Sequence, residues 1–329
     1  MLPDANATLT AVAGLLVGHY TNPAALTGCT AVLCPEGAVA GVCTRGGAPG
    51  TRETDALRPG TLTPVIHGLL LTGGSAFGLD AAGGVMRWLE AQGAGFSTAV
   101  ARVPIVPAAV VFDLGVGDPA VRPGANAGYV AASLASAAPV VEGCVGAGTG
   151  VTAGKALGIG RAVKTGVGSA CTAARDGTRL AALAVVNAFG EVVNPATGRV
   201  LAGPRDAGTG AFVNTLTTMQ ERAAGFGAAE HTTLVVVATD ATLTKEHANA
   251  LANMADDGLA RTIRPCHTQM DGDVVFALAT GRRTTRLSLS VLGALAAEVA
   301  SRAIVRAVTE ATGAGGLPAF RDLAGAVRR

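Results

Sequence analysis

The sequence predicts a single α/β domain in which sheets are covered by helices. Three observations predict it. Strand-like segments rich in Val, Ile and Thr occur in both halves, and the strongest helical patterns come late. Neither half reads as self-sufficient, so the 329 residues form one large domain rather than two. The chain is 49% hydrophobic with 46 Gly and only 3% aromatic residues, so its core is made of small side chains that let backbone layers approach closely. That much Gly without a collagen period, and without the charge of a disordered chain, reads as tight turns and close contacts.

Taken in order, Thr8 to Val17 reads as a first strand. Cys29 to Cys34 and Ala38 to Cys43 flank Pro35-Glu36-Gly37, which predicts a hairpin. A polar Gly/Pro loop, Arg45 to Asp55, precedes a strand or mixed apolar segment over Thr63 to Leu71. Gly73-Gly74-Ser75 leads into a helix running to Gln92, with Ser75 as N-cap and Gly93 as stop. Gly83-Gly84 inside that helix costs stability, and close packing against a sheet is the expected compensation. Val103 to Leu114 is interrupted by Pro104 and Pro107 and fits an edge strand or an extended segment better than a central strand. Asn126 to Ala138 reads as a small-residue helix. Arg161 to Ala173 and Arg179 to Ala188 read as strands joined by the Asp176-Gly177 turn. Leu201 to Ala229, with a weak helix around Phe212 to Arg222, is the best linker candidate. A strand (Thr233 to Thr239), a helix (Thr244 to Asp257), a strand (Val274 to Thr280) and an Ala-rich helix (Ser288 to Thr312) complete the chain.

Composition excludes several function classes. Net charge is +2, and no stripe of Lys and Arg interleaved with aromatics points to nucleic acid. Met1 to Asp4 has no basic region followed by an apolar core, so no signal peptide is expected. The apolar runs are short and broken by Gly or Pro, so no membrane span is expected. Six cysteines lack any Cys-x-x-Cys pair and five histidines lack metal-site spacing. Free thiols in a reducing cytoplasm, with no metal or cofactor, are the expectation.

Two nucleotide motifs fail. Gly148-Thr149-Gly150-Val151-Thr152-Ala153-Gly154-Lys155 resembles a phosphate loop, but the Gly spacing is wrong and Ala156 replaces the required Ser or Thr. No Gly-x-Gly-x-x-Gly arises from Gly146, Gly148, Gly158 or Gly160. Ser75 lies in Gly74-Ser75-Ala76-Phe77-Gly78, which is not a nucleophile elbow.

The stretch Glu230 to Asp240 places two hydroxyl residues, Thr232 and Thr233, where a Gly/Ala-rich run meets an apolar β-branched strand. Read alone, this is an ordinary strand beginning in polar residues. Five stretches taken together say more: Cys43 to Thr54, Leu71 to Leu79, Val103 to Val110, Gly148 to Lys155, and Thr232-Thr233 to Thr239-Asp240. In this order, over about Leu15 to Gly313, they resemble the L-aminopeptidase/D-esterase family. Within it the chain is most similar to the nylon-oligomer (6-aminohexanoate-oligomer) hydrolase branch.

The resemblance implies an αββα sandwich of the N-terminal-nucleophile-hydrolase type, cut by itself before Thr232 into residues 1–231 and 232–329. The two pieces stay together and assemble into a homo-oligomer, a tetramer of heterodimers. Thr232 would be the nucleophile and its freed α-amine the base. Lys155 matches a site lysine that would supply a cation or a hydrogen bond; without the family it reads as an exposed turn lysine. Asn187 matches the oxyanion-stabilising asparagine; alone, it reads as a strand-end residue satisfying a turn. Asp271 and Asp273 match the aspartate pair of the nylon-hydrolase branch, where the aminopeptidase branch carries Ser and Glu; alone, Asp-Gly-Asp is a turn.

His231 stands where the family usually has Asn, and Phe112 where it often has a site tyrosine. Tyr129 is the only tyrosine nearby in sequence. The implied substrate is a small linear amide or peptide. Alternatives are a β- or L-aminopeptidase or D-amino-acid esterase, an acyltransferase of the ornithine acetyltransferase type, and an unprocessed relative without activity.

Overall fold

A computed structural model describes residues 6–221 and 231–323. Nine strands form one hydrogen-bonded set: β1 (Leu16–Asn22), β2 (Thr27–Thr44), β3 (Thr51–Arg52), β4 (Ile66–Thr72), β5 (Ala108–Val110), β6 (Val167–Ala173), β7 (Arg179–Asn187), β8 (Thr232–Ala241) and β9 (Val274–Arg283). Their order is β6-β7-β8-β9-β2-β4-β5-β3, with β1 also on β2. The β8/β9 and β4/β5 pairs are parallel.

Strand β2 passes from one sheet to the other. Its first half, Cys29 to Leu33, pairs with β4, and its second half, Val39 to Thr44, pairs with β9. The register shifts between Leu33 and Ala38. Pro35-Glu36-Gly37 is therefore a bulge inside one 18-residue strand, not the turn of a hairpin. Gly37 at φ +95° and a proline without an N–H relax the ladder there, which lets the strand change sheets.

Three buried clusters define four layers. Between the sheets, Val32, Leu69 and Leu71 pack in one cluster with Leu183, Leu234, Val236, Phe276 and Leu278. The other face of the β6–β9 sheet, through Val235, Val237 and Val275, packs on α4 (Lys245–Ala255), α5 (Asp257–Thr262) and α6 (Leu289–Thr309). The remaining face of the β4 sheet lies under α1 (Ala81–Ala91) and α2 (Ala125–Ser133). The order helix, sheet, sheet, helix is the expected αββα sandwich. All ten residues of β8 are buried, since both faces of its sheet are covered, so it reads as a continuous apolar run.

Other expectations shift. Leu9–Ala11 is a single 3₁₀ turn before β1 rather than part of a strand. Ser75–Asp80 is also 3₁₀, and α1 starts only at Ala81; Ser75 sits at φ +54° inside that turn and caps nothing with its side chain. Gly84 packs on a helix rather than a sheet: an added Cβ would sit 1.7 Å from the Ala125 carbonyl oxygen of α2. Ala108–Val110 is flanked by β4 and β3, so it is not an edge. Helix α2 ends at Ser133. The linker candidate contains a strand, Val200–Ala202, described turns over 203–214 and helix α3 (Thr215–Glu221); its last part, 222–229, which includes the Gly/Ala-rich run, lies outside the described residues. Among the described residues no helix is long and apolar enough to cross a membrane, and no group of His, Cys, Asp or Glu is arranged to hold a metal ion.

Candidate active site

Strand pairing alone brings the predicted residues to one end of the β6–β9 sheet. Antiparallel β7 ends at Asn187, directly opposite Thr232 at the start of β8. Parallel β9 begins beside β8, and a further bridge pairs His231 with Asp271. The loop 271–273 therefore lies against the His231–Thr232 peptide.

That peptide is held tightly. The Gly272 N–H donates to the His231 carbonyl oxygen at 2.7 Å. The Thr232 hydroxyl donates to the same oxygen at 2.6 Å. The Thr233 N–H donates to Asp273 Oδ1 at 2.7 Å. His231 and Thr232 are both buried. The His231 ring lies 5.0 Å from that of Phe189, centroid to centroid. Burial, helped by the Lys155 charge, pushes its pKa down to about 3, so the ring is neutral.

Lys155 reaches the site from a turn that only glycine permits. Gly154 has φ +76°, and a Cβ there would meet the Gly203 backbone at 2.2 Å. The turn is fixed by Gly154 N–H to Gly190 O and Lys155 N–H to Phe189 O. Lys155 is not an exposed turn lysine; it is buried, at 8% exposure. Its Nζ donates to the Asn187 side-chain Oδ1 at 2.6 Å and to the Asn187 carbonyl at 2.8 Å. Asn187 Oδ1 also accepts the Thr152 N–H, and its Nδ2 donates to the Phe112 carbonyl at 2.8 Å. Phe112 thus touches the site through its backbone, a contact any residue there provides. Tyr129 is on α2, on the far side of the other sheet, 40% exposed, and is not part of this cluster.

The two aspartates differ. Asp271 Oδ2 accepts the Thr268 N–H and hydroxyl at 2.9 and 2.6 Å. Burial and then the neighbouring Asp273 charge push its carboxyl above the usual range. Asp273 Oδ2 accepts the His267 N–H at 3.0 Å. The Gly-rich loop after β2 backs this pair: Arg45 N–H donates to Asp273 O, and Ala48 N–H to Asp271 O. A Cβ on Gly46 would meet Asp271 O at 2.0 Å, which explains the glycine.

The structure therefore brings together Thr232, Lys155, Asn187, Asp271, Asp273 and His231. Sequence reading missed Gly272 and His267. Gly272 sits inside the Asp-Gly-Asp that was singled out, but its contribution is a backbone N–H, which no side-chain pattern advertises.

Known proteins resemble this chain along nearly its whole length. The model of Peptidase family S58 matches residues 7–319. An uncharacterized aminopeptidase of Mycobacterium tuberculosis (strain ATCC 25618 / H37Rv) is 42% identical over 349 residues, 96% of this chain and 97% of the relative. A 6-aminohexanoate-oligomer endohydrolase of Paenarthrobacter ureafaciens is 31% identical over 313 residues, 89% of this chain and 84% of the relative. Among solved structures, the L-aminopeptidase D-Ala-esterase/amidase of Ochrobactrum anthropi, described as a variant of the Ntn hydrolase fold, superposes with a TM-score of 0.69 at 20% identity, covering 98% of this chain and 93% of that one. The chain belongs to peptidase family S58 and is a hydrolase acting on peptide or amide bonds.

Proposed function

We propose that the chain breaks its own peptide bond between His231 and Thr232, and that the freed Thr232 then hydrolyses linear amides such as 6-aminohexanoate oligomers. The observation that carries this is the convergence of the Gly272 N–H and the Thr232 hydroxyl on the His231 carbonyl oxygen, at 2.7 and 2.6 Å. In the first step Thr232 Oγ attacks the His231 carbonyl carbon. Negative charge develops on the oxygen that Gly272 already holds. The C–N bond breaks, the amine takes up the hydroxyl proton, and water hydrolyses the resulting ester. The products are residues 1–231 and a piece that begins at Thr232.

The new α-amine is the base tethered to the nucleophile, with a reference pKa of roughly 7.7–8.0. Lys155, buried nearby as a cation, favours the free amine. In substrate turnover Thr232 Oγ attacks the amide carbonyl, the Asn187 amide and backbone N–H groups hold the oxyanion, and water releases the acyl group. Asp271 and Asp273 orient Thr232 and balance the cations. Exposed apolar side chains on α2 and just beyond its end, Val130 and Leu134, support assembly of the cut protein into a homo-oligomer.

A second reading is an aminopeptidase. The 42% identical relatives carry that name. A cavity of 440 Å³ lined by Asp206 and Glu221 also reaches Leu157, two residues beyond Lys155, and offers negative charge to a substrate ammonium. Incubation of the wild type and Thr232→Ala with 6-aminohexanoate oligomers and aminoacyl anilides separates the readings. Oligomer cleavage by the wild type alone supports the proposal. Anilide cleavage without oligomer cleavage favours the aminopeptidase. Undiminished activity of Thr232→Ala contradicts both.

A further inference from the structure

We propose that His267 is a positioning residue for the break at His231/Thr232: held between Asp273 and Asp256, it fixes the carboxylate that grips the amide of Thr233. The inference rests on the proposed self-cleavage and adds to it a residue four positions before Asp271.

The geometry is a row of alternating charge that runs from the break point to the surface. Asp273 Oδ1 takes the Thr233 N–H at 2.7 Å. Its Oδ2 is addressed twice by one residue, by the His267 N–H at 3.0 Å and by the ring Nδ1 at 2.9 Å. The ring Nε2 lies 3.2 Å from Asp256 Oδ2. The same Asp256 oxygen lies 3.7 Å from Arg45 Nη1. The ring N–H groups do not point squarely at the carboxylates, so these contacts are ion pairs rather than aligned hydrogen bonds.

Each end of the row is anchored. Asp256 is buried where α4 meets α5. His267 itself stands at φ +57°, a conformation a non-glycine residue adopts only when its surroundings hold it. The row thus ties β8 at its first residues to the helical layer and to the loop after β2.

The charges balance. Asp273 and Asp256 are two buried carboxylates; His267 and Arg45 are the cations facing them. Burial works against a charged imidazole, but Asp256, Asp273 and then Cys266 outweigh it and hold the His267 pKa up at about 12. The other titratable groups around the row are Cys266 and Asp271 on the same loop, Cys43 near the end of β2, and Lys155 across the site. Without the imidazolium, Asp271 and Asp273 would share the site with no cation on their own loop.

His267→Gln tests this, since it keeps a polar side chain but carries no charge. Conversion of the full-length chain is followed by mass under denaturing conditions from about pH 5 to pH 9. Folding is checked by circular dichroism. At neutral pH the variant is expected to convert at least about tenfold more slowly than wild type. The acid limb of its pH–rate profile is expected to move up by about one unit, because the Asp271 carboxyl, already pushed up by burial and the Asp273 charge, then loses a nearby counter-cation. Asp256→Asn removes an anion from the row instead of a cation, so it is expected to move the same limb the other way, downward, and by less.

Conversion of His267→Gln at the wild-type rate, or slowing that is uniform across pH, would overturn the proposal while leaving cleavage intact. If His267→Gln does not fold, Asp256→Asn decides: an unmoved acid limb overturns the proposal. A wild-type chain that never breaks overturns both this inference and the reading beneath it.

Discussion

At the residue scale the decisive atom is the carbonyl oxygen of His231, because two donors converge on it. Gly272 supplies one of them and has no room for a side chain: a Cβ would lie 2.5 Å from the Ala48 carbonyl oxygen and 2.8 Å from Thr232 Oγ1. Gly272→Ala is expected to displace that N–H and to slow chain breakage by about 100-fold or more, the usual cost of one oxyanion donor. Densitometry of the two fragments over time checks it.

Lys155→Met leaves the Asn187 oxygens without their buried cation, which costs more than losing an exposed contact. It is expected to lower amide hydrolysis by about 100-fold while the chain stays folded. A kcat comparison on already processed protein reads this out.

His231 gives a pH prediction. Its ring is held at about 3 against an ordinary 6.5. Between those values the unfolded chain binds a proton that the folded chain does not. Its contribution is therefore complete above about pH 6.5 and is lost as pH falls toward 3, by about 1–2 kcal/mol at pH 5. His19, buried and pushed down to about 4, acts in the same direction. In the uncleaved Thr232→Ala background, adding His231→Asn should reduce the drop in thermal midpoint between pH 7 and pH 5. An equal drop in both proteins would contradict the assignment.

At this scale the sequence was legible only where chemistry sits in side chains and the family resemblance marks them: Thr232, Lys155, Asn187, Asp271 and Asp273. Gly272 acts through its backbone. His267 acts on Asp273 while held by Asp256, eleven residues earlier and on another element, and no local pattern joins them.

At the scale of elements, two adjacent glycines of α1 behave oppositely. Gly84 touches α2, and Gly128 of α2 reciprocates, an added Cβ there meeting the Ala81 carbonyl at 1.8 Å. Gly84→Ala is expected to force the helices apart and to cost about 1–3 kcal/mol, as overpacking does. Gly83 has nothing within 4 Å, so Gly83→Ala should stabilise by roughly 0.5–1 kcal/mol through helix propensity. Thermal unfolding of the two single variants tests the opposite signs.

The Gly-Gly pair was visible in the sequence as a cost, but its partner was not, because a glycine records that something comes close and not what. Pro35-Glu36-Gly37 misled for a related reason. The same residues that make a hairpin turn also make a bulge, and only the pairing of β2 with both β4 and β9 separates the two outcomes. Strands β7 and β8 were legible because burial on both faces writes an uninterrupted apolar run.

At the scale of the molecule, the four layers place the site at one end of the β6–β9 sheet, where three strands begin or end together. The composition foretold the close layering; the order of strands was beyond it, since a strand that serves two sheets has no compositional mark. Under the proposed function, this frame breaks one peptide bond and then uses the exposed threonine. The most direct measurement is the intact mass of the purified, folded protein under denaturing conditions, with Thr232→Ala alongside. Two fragments meeting at His231/Thr232, absent from the variant, are the expected result. A single 32.3 kDa species in both, after prolonged incubation, would contradict the account.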